Sequence, residues 1–406
     1  MAIRPAARTD VNRSAILAHL GASGPASRAD LARVLGVSPA LMTQLIKDLL
    51  ADGLLIELEH SPSQGGRPAR MLGLVASAGR AIGVKVVADH VAFVEVGIDG
   101  SVVRSASEPF DAWATTMLAD LTSLLERFVA GGGDARLLGV GVGVPGSVDL
   151  QGSGVVDSPQ LGWNQVPLGP TLRRELGHPI LVENNVNALA MAERLYGAGR
   201  RHENFLLVTI GTGVGAGIVV DGVVLRGAAG GAGEIGHVPT IENGPLCSCG
   251  NHGCLEAIIG EAALVRAARE RGVIGKDAGI AALRSAADAG DPQATEIFGE
   301  AGHLLGRALA SIVHTLDPEI LIIAGEGTMS WPHWAFGFEP AFRAALLPSR
   351  RGIGVVVETW QDESWAQGAA SLVLATPFDA EGVSGRQGEL VRARLQQNPA
   401  STVEGR

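Results

Sequence analysis

The sequence is short of three things. It has no long apolar run: no stretch reaches the roughly 18–20 apolar residues that cross a bilayer, and no apolar segment follows the basic residues near the N-terminus as in a signal peptide. These absences point to a cytoplasmic protein without a membrane partner. It has little cysteine, three in 406 residues. That excludes a disulfide framework, and the placement of all three between 247 and 254 points to metal binding in a reducing compartment. It is also short of positive charge: 32 Lys and Arg against 42 Asp and Glu leave a formal net charge of −10. A protein that coats nucleic acid through bulk charge is excluded. No internal repeat is found.

The shortage of positive charge is uneven. Residues 1–72 hold eight basic and six acidic residues, a net of +2 that leaves −12 for the rest. A mildly basic head on an acidic body is the asymmetry of a small DNA-binding unit attached to a regulatory domain. With 46% hydrophobic and 18% charged residues the chain is globular, and its length suits two or three domains.

In the head, Ile16, Leu17 and Leu20 share helical spacing over 13–20, and Gly21 and Gly24-Pro25 are expected to stop that helix. Ser27-Arg28-Ala29-Asp30 reads as a capping box in which Asp30 reaches back to Ser27. It opens a second helix with Leu31, Val34 and Leu35 inward. Gly36 is a sharp turn. Ser38 caps a third helix with Pro39 at its first position. Leu41, Leu45, Ile46, Leu49 and Leu50 form its apolar stripe, and Ala40, Thr43, Gln44 and Lys47 point the other way. Two helices about a glycine turn form a helix-turn-helix, whose second helix enters the major groove. Two short strands follow, 54–58 and 71–74. The loop between them, with Gly65-Gly66-Arg67-Pro68, reads as a wing whose Arg67 suits a narrow minor groove. The candidate DNA-binding set is Ser38, Ala40, Thr43, Gln44, Lys47 and Arg67. A three-helix adaptor that touches only protein is the alternative.

Beyond 72 the pattern is α/β: strands at 81–87, 91–98, 137–144, 179–183, 205–210 and 319–324, with a helix over 187–196. Gly211–Gly217 is either a phosphate cradle or a tight hairpin. His237 with Cys247, Cys249 and Cys254 makes a closed tetrahedral set, suited to a structural zinc ion and leaving no open position for catalysis. His252 is a rival ligand. Residues 378–406 read as a mobile tail with a short helix near 387–397.

Several motifs occur in one order: Gly143-Val144-Pro145-Gly146-Ser147-Val148-Asp149, Glu183-Asn184-Asn185-Val186-Asn187, Gly211–Gly217, Glu234–His237 and the cysteine cluster. On them, residues 79–377 resemble the ROK family, which groups sugar kinases with repressors on a two-lobed, actin-like (ribonuclease H-like) fold. A helix-turn-helix in front marks the regulator branch. The resemblance implies three domains: a winged helix-turn-helix over 1–72, a sugar-kinase-like effector domain over 73–377, and the tail.

The resemblance also implies roles. In the kinases the third residue of Glu-Asn-Asp is the general base; here it is Asn185, an amide that takes no proton at neutral pH. Their Asp-x-Gly-Gly-Thr phosphate loop is replaced by Lys85-Val86-Val87-Ala88-Asp89, which blocks close backbone approach to phosphate. Kinase chemistry is therefore expected to be absent. The sugar contacts implied are Asn184 and Asn185 on ring hydroxyls, Glu234, His237 and Glu256 on the anomeric side, and Gly146 for backbone approach. The expectation is a sugar-responsive repressor, a homodimer or homotetramer on an operator; a sugar kinase with an added head is the alternative.

Overall fold

The computed structural model describes residues 6–60, 70–133, 135–358, 363–376 and 384–396. It forms two compact units: residues 1–201, 221–223 and 363–406 make the first, and 202–220 and 224–362 the second. The expected effector domain, 73–377, is thus divided between two units, and the head shares the first with part of it.

The first unit opens with α1 (Ala6–Ser23), the two-residue β1 (Ala26–Ser27), α2 (Arg28–Leu35), α3 (Pro39–Ala51), β2 (Leu55–His60) and β3 (Arg70–Leu74). β3 pairs antiparallel with both β1 and β2, which is the winged arrangement. The expected wing tip, Arg67 included, lies outside the described residues. Gly21 does not stop α1. The helix runs on to Ser23, and the left-handed Gly24 (φ 77°) ends it. The caps of α2 and α3 form as read: Ser27 Oγ accepts from Asp30 N (3.2 Å) and Ser38 Oγ from Leu41 N (3.3 Å). The Asp30 carboxylate takes the Ser27 hydroxyl (2.7 Å) where a bond to the backbone amide was expected, since Ser27 is paired with Met71. Two apolar residues were assigned to the wrong face. Val34 and Leu41 are exposed, and Met42 takes the inward place beside Leu45, Ile46 and Leu49. These side chains share a core with Ile16, Leu17, Leu20 and Leu31, each contributing about 1.5–3 kcal/mol by burial.

The body of this unit is a five-stranded sheet. Its strands are β4 (Arg80–Val86), β5 (His90–Gly97), β6 (Val102–Pro109), β7 (Leu137–Val144) and β11 (Ile180–Asn184), in the order β11-β7-β4-β5-β6. Between β6 and β7 runs α4 (Met117–Ala130); between β7 and β11 lie the small strands β8 (Ser147–Val148), β9 (Val156–Ser158) and β10 (Trp163–Val166) and helix α5 (Leu168–Leu176). β4, β5 and β6 form an antiparallel meander, while β7 and β11 run parallel to β4. α6 (Asn185–Leu195) follows β11 without a loop.

The second unit holds β12 (Phe205–Ile210), β13 (Val214–Val220), the short β14 (Val223–Val224), α7 (Leu255–Ile259), α8 (Glu261–Glu270), α9 (Ile280–Asp288), α10 (Pro292–Leu316), β15 (Ile320–Ala324), α11 (Trp331–Ala345) and β16 (Gly354–Val357). Its sheet order is β14-β13-β12-β15-β16. Leu206, Val208, Leu321 and Ile323 share its core with Phe298, Leu305, Phe338 and Phe342 of the α10–α11 pair.

The chain then re-enters the first unit as α12 (Glu363–Ala375) and α13 (Gly385–Gln396). β7 explains how α12 fits. Val140, Val142 and Val144 fill one core, and the alternate Gly141 leaves the other face bare. A Cβ on Gly141 would fall 1.8 Å from Ala369 O, and one on Gly83 of β4 1.8 Å from Ala366 O. The glycines let α12 lie directly on the sheet. α13 is the short helix expected near 387–397, and it corrects the reading of a mobile tail there, for Val391 and Leu395 are buried.

Candidate functional site

The helix-turn-helix presents its predicted residues outward. Ser38, Ala40, Thr43, Gln44 and Lys47 are all exposed. Three of them are already engaged within α3: Ser38 caps it, Thr43 Oγ1 donates to Pro39 O (2.8 Å), and Gln44 Nε2 donates to Asp48 Oδ1 (2.8 Å). The bond to Asp48 takes one N–H of Gln44 and leaves its second N–H and its Oε1, so Gln44, Lys47 and the free face of Ala40 are the most available. A concave surface between α2 and α3 is lined by Arg28, Arg33, Pro39 and Thr43. Sequence reasoning counted Arg28 and Arg33 only as charge. Arg28 pairs with Glu57 of β2 (2.8 Å), and Arg70 of β3 also pairs with Glu57, which ties α2 to the wing strands.

In the first unit the Glu-Asn-Asn motif sits where β11 becomes α6. Asn184 is the N-cap: its Oδ1 accepts from Val186 N (2.8 Å) and Asn187 N (3.2 Å), and its Nδ2 donates to Gly146 O (2.8 Å). Most of its hydrogen-bonding capacity is thus structural, leaving one N–H for a ligand. Asn185, half-buried, shares its Oδ1 with Val186 N (3.0 Å); among the described residues no acceptor takes its Nδ2. Gly146 is also required by the fold itself: its φ is 94°, and a Cβ would fall 2.3 Å from Asp157 O of β9.

Sequence reasoning missed what holds this turn. Glu183 is 1% exposed, and its carboxylate accepts from Gln151 Nε2 (2.9 Å), Asn184 N (2.8 Å) and Asn187 Nδ2 (3.4 Å). A buried carboxylate with three donors is a rigid anchor. Gln151 carried no sequence signal because it lies in a turn more than thirty residues away.

In the second unit the cysteine loop gathers as read. One ligand atom each from His237, Cys247, Cys249 and Cys254 lies within 4.8 Å of all the others. Cys249 and Cys254 Sγ are 3.7 Å apart, and Cys247 Sγ is 3.4 Å from His237 Nδ1. Tetrahedral edges built on Zn–S of about 2.3 Å and Zn–N of about 2.0 Å are about 3.8 and 3.5 Å. The donor set fits a zinc ion. Without one the thiols differ: burial, then Cys249 and Cys247, push the Cys254 thiol up to about 12, the reverse of what a divalent cation imposes, while a backbone hydrogen bond from Asn251 lowers the Cys249 thiol. His252 turns away and bonds Gly244 O (3.2 Å).

His237 divides its ring. Nδ1 faces the thiols, and Nε2 lies 3.7 Å from Glu234. A carboxylate behind a metal-facing imidazole fixes its tautomer. Burial raises the Glu234 carboxyl above its ordinary pKa, His237 opposes this, and Glu256 adds to it. Glu256 accepts from Val214 N (3.0 Å) and Ser248 Oγ (3.4 Å), linking the cysteine loop to the glycine segment. That segment is the hairpin of the two readings: Ile210 pairs with Val214, and the turn is Gly211-Thr212-Gly213. A Cβ on Gly211 would meet Glu326 Oε2 at 2.4 Å, and Glu326 in turn raises the pKa of Glu261, already lifted by burial. Two carboxylates beside the turn oppose a phosphate there.

Sugar-assigned residues thus fall into two groups, Gly146, Asn184 and Asn185 in the first unit and Glu234, His237 and Glu256 in the second. Among the described residues no single helix is long and apolar enough to cross a membrane.

A winged helix-turn-helix ahead of an actin-like α/β body defines a class, the sugar-kinase-like regulators. The chain belongs to the ROK family, whose profile matches residues 81–376, and the MarR family profile matches residues 9–65. The xylose repressor of Bacillus spizizenii is 29% identical over 327 residues, covering 79% of this chain and 84% of that one. A solved ROK family transcriptional regulator, homologue of the E. coli MLC protein, has a TM-score of 0.74 at 25% identity and covers 96% of this chain and 99% of its own. The ROK family glucokinase from Streptomyces griseus, in complex with glucose and AMPPNP, has a TM-score of 0.65 at 28% identity and covers 72% of this chain and 99% of its own.

Proposed function

We propose that the protein is a sugar-responsive, DNA-binding transcriptional repressor without kinase activity, acting in the cytoplasm as a homodimer or homotetramer. The observation that carries this reading is the pairing, in one chain, of an exposed recognition helix with a rigidly anchored sugar motif whose would-be base is an amide. Asn185 offers an N–H and a carbonyl to a hydroxyl and no proton acceptor of useful basicity. Lys85, buried beneath Trp365 (5.4 Å to the ring centroid), stands where the kinases hold an acid, and Glu326 and Glu261 face the glycine turn. Both support loss of phosphoryl transfer.

The effector contacts proposed are, in the first unit, the Asn185 amide, the remaining Asn184 N–H and the Gly146 backbone, and, in the second, Glu234, His237 and Glu256. Zinc is the proposed structural ion. His237, Cys247, Cys249 and Cys254 would hold it, orienting His237 and bringing Glu256, two residues beyond Cys254, into a fixed place. For DNA, Ser38, Ala40, Thr43, Gln44 and Lys47 face the major groove, and Arg67 the minor groove. A two-fold oligomer would place two heads on half-sites about one helical turn apart.

The test has two arms. DNA fragments selected by the protein from a random pool should bind it at nanomolar levels, and D-xylose or D-glucose should change that affinity. Incubation with ATP, magnesium and either sugar should give no phosphorylated sugar, for the wild type and for Asn185→Asp alike. A pool that never enriches sinks the repressor reading, and turnover by the wild type sinks the loss of catalysis.

A further inference from the structure

The sugar motif and the DNA-reading helices lie in the same unit, and one helix spans the gap between them. α6 begins at the Asn184–Asn185 turn and is closed by Tyr196, whose N–H bonds Ala192 O and Glu193 O. At 1.5 Å per residue its 11 residues run about 16 Å. α12 packs closely on the middle of α6: a Cβ on Gly368 would lie only 3.0 Å from the Leu189 backbone. The first turn of α6 is tied to the end of β11 through the Glu183 carboxylate, which accepts from Asn184 N and Asn187 Nδ2.

Its C-terminus meets the head. α1 packs against α6. Tyr196 is the one tyrosine of the chain, and its phenol lies against Ser14 of α1, which is 2% exposed. Burial lifts the phenol above its ordinary pKa, with Asp99 adding to this, so the hydroxyl keeps its proton. The same spot gathers two further elements. The ring lies on Gly100 of the β5–β6 turn, where φ is 84° and a Cβ would come within 2.9 Å of Tyr196 Cε1. A Cβ on Gly21 of α1 would fall 2.0 Å from Asp99 Oδ2 of that turn. Gln367 of α12 donates to Gly100 O (3.0 Å). Beyond this junction, Ile16, Leu17 and Leu20 of α1 share their core with Leu45, Ile46 and Leu49 of α3.

We propose that α6 is the transmission element of the regulator: a ligand hydroxyl bound at Asn185 displaces the start of α6 as a rigid rod, and the Tyr196–Ser14 contact passes that displacement to α1 and so to the recognition helix. The proposal rests on the sugar-effector reading given above. Close packing makes it physical, because tightly packed helices shift as bodies and do not absorb a small displacement.

The single tyrosine supplies the test. Full-length protein made with fluorotyrosine gives one fluorine NMR resonance, at the junction itself. Adding D-xylose or D-glucose, whichever calorimetry shows to bind, should move that resonance, and so should a DNA fragment selected by the protein. Tyr196→Phe and Ser14→Ala should bind sugar and DNA separately with wild-type affinity, while the sugar-induced change in DNA affinity falls by at least about fivefold. Should Tyr196→Phe fail to fold, Ser14→Ala carries the same measurement. A bound sugar that leaves the resonance in place, or variants with full coupling, overturns the transmission role and leaves the sugar reading standing. If neither sugar binds, the effector reading fails, and the DNA arm still decides: a resonance unmoved by DNA rejects the junction.

Discussion

Asn184 and His237 each have two polar ends turned to different tasks. Asn184 caps α6 with its oxygen and holds the Gly146 loop with its nitrogen. His237 turns one nitrogen to the thiols and the other to Glu234. Mutating such residues removes two functions at once, so the informative substitutions are at their neighbours. Cys254→Ser should remove the one zinc per chain that metal analysis of the wild type is expected to find. Glu234→Gln, which keeps the shape but weakens the partner of the imidazole, should lower zinc affinity about 10- to 100-fold in a chelator competition. A chain that binds no zinc at all would refute the set.

Elements were legible where a periodic pattern governs them. β7 and β12 match their sequence limits because each is a short apolar run bounded by glycine or a polar turn. Misreadings fall where tertiary contacts override local signals. Gly21 reads as a stop but is needed for the approach to Asp99, and α1 continues through it. The helix expected near 387–397 forms as α13, but its docking was not legible, because carbonyl-directed arginines hold it and these leave no apolar period: Arg394 donates to Leu137 O (3.1 Å) and Gly177 O (3.1 Å), and Arg392 to Thr376 O (3.2 Å). The sugar motif was legible as residues, but its anchor Gln151 comes from a distant turn that only the fold brings near. The α13 dock also carries a pH signature. His178 Nδ1 lies 2.7 Å from Arg394, and burial, then Arg394 and Arg80, hold its pKa below the usual 6.5. The folded protein keeps the imidazole neutral while the unfolded chain protonates near 6.5, so this contribution is complete above that pH and is lost as the pH falls through and below it. The melting temperature should therefore drop between about pH 7 and about pH 5.5, and less steeply in His178→Phe. Parallel profiles would exclude His178 as the cause.

For the molecule as a whole, the head is not an independent bead on a string. Its core cluster continues through Ala81, Val94 and Ala188 to Ala366 and Ala370 of α12. A charge placed in that shared core should therefore be felt far away in sequence. Ala370→Asp, at a site 0% exposed, is expected to raise amide hydrogen exchange in α3 as well as in the sheet. Unchanged protection in α3 would mean that the head holds its structure without the body.

The glycine trough on β4 and β7 waits for a helix that the ribosome makes last. Until residues 363–375 emerge, the sheet of the first unit lacks the helix that lies on its glycines, after the whole of the second unit has been synthesised. A message cut short before that point leaves a head resting on an unfinished support and open to proteolysis.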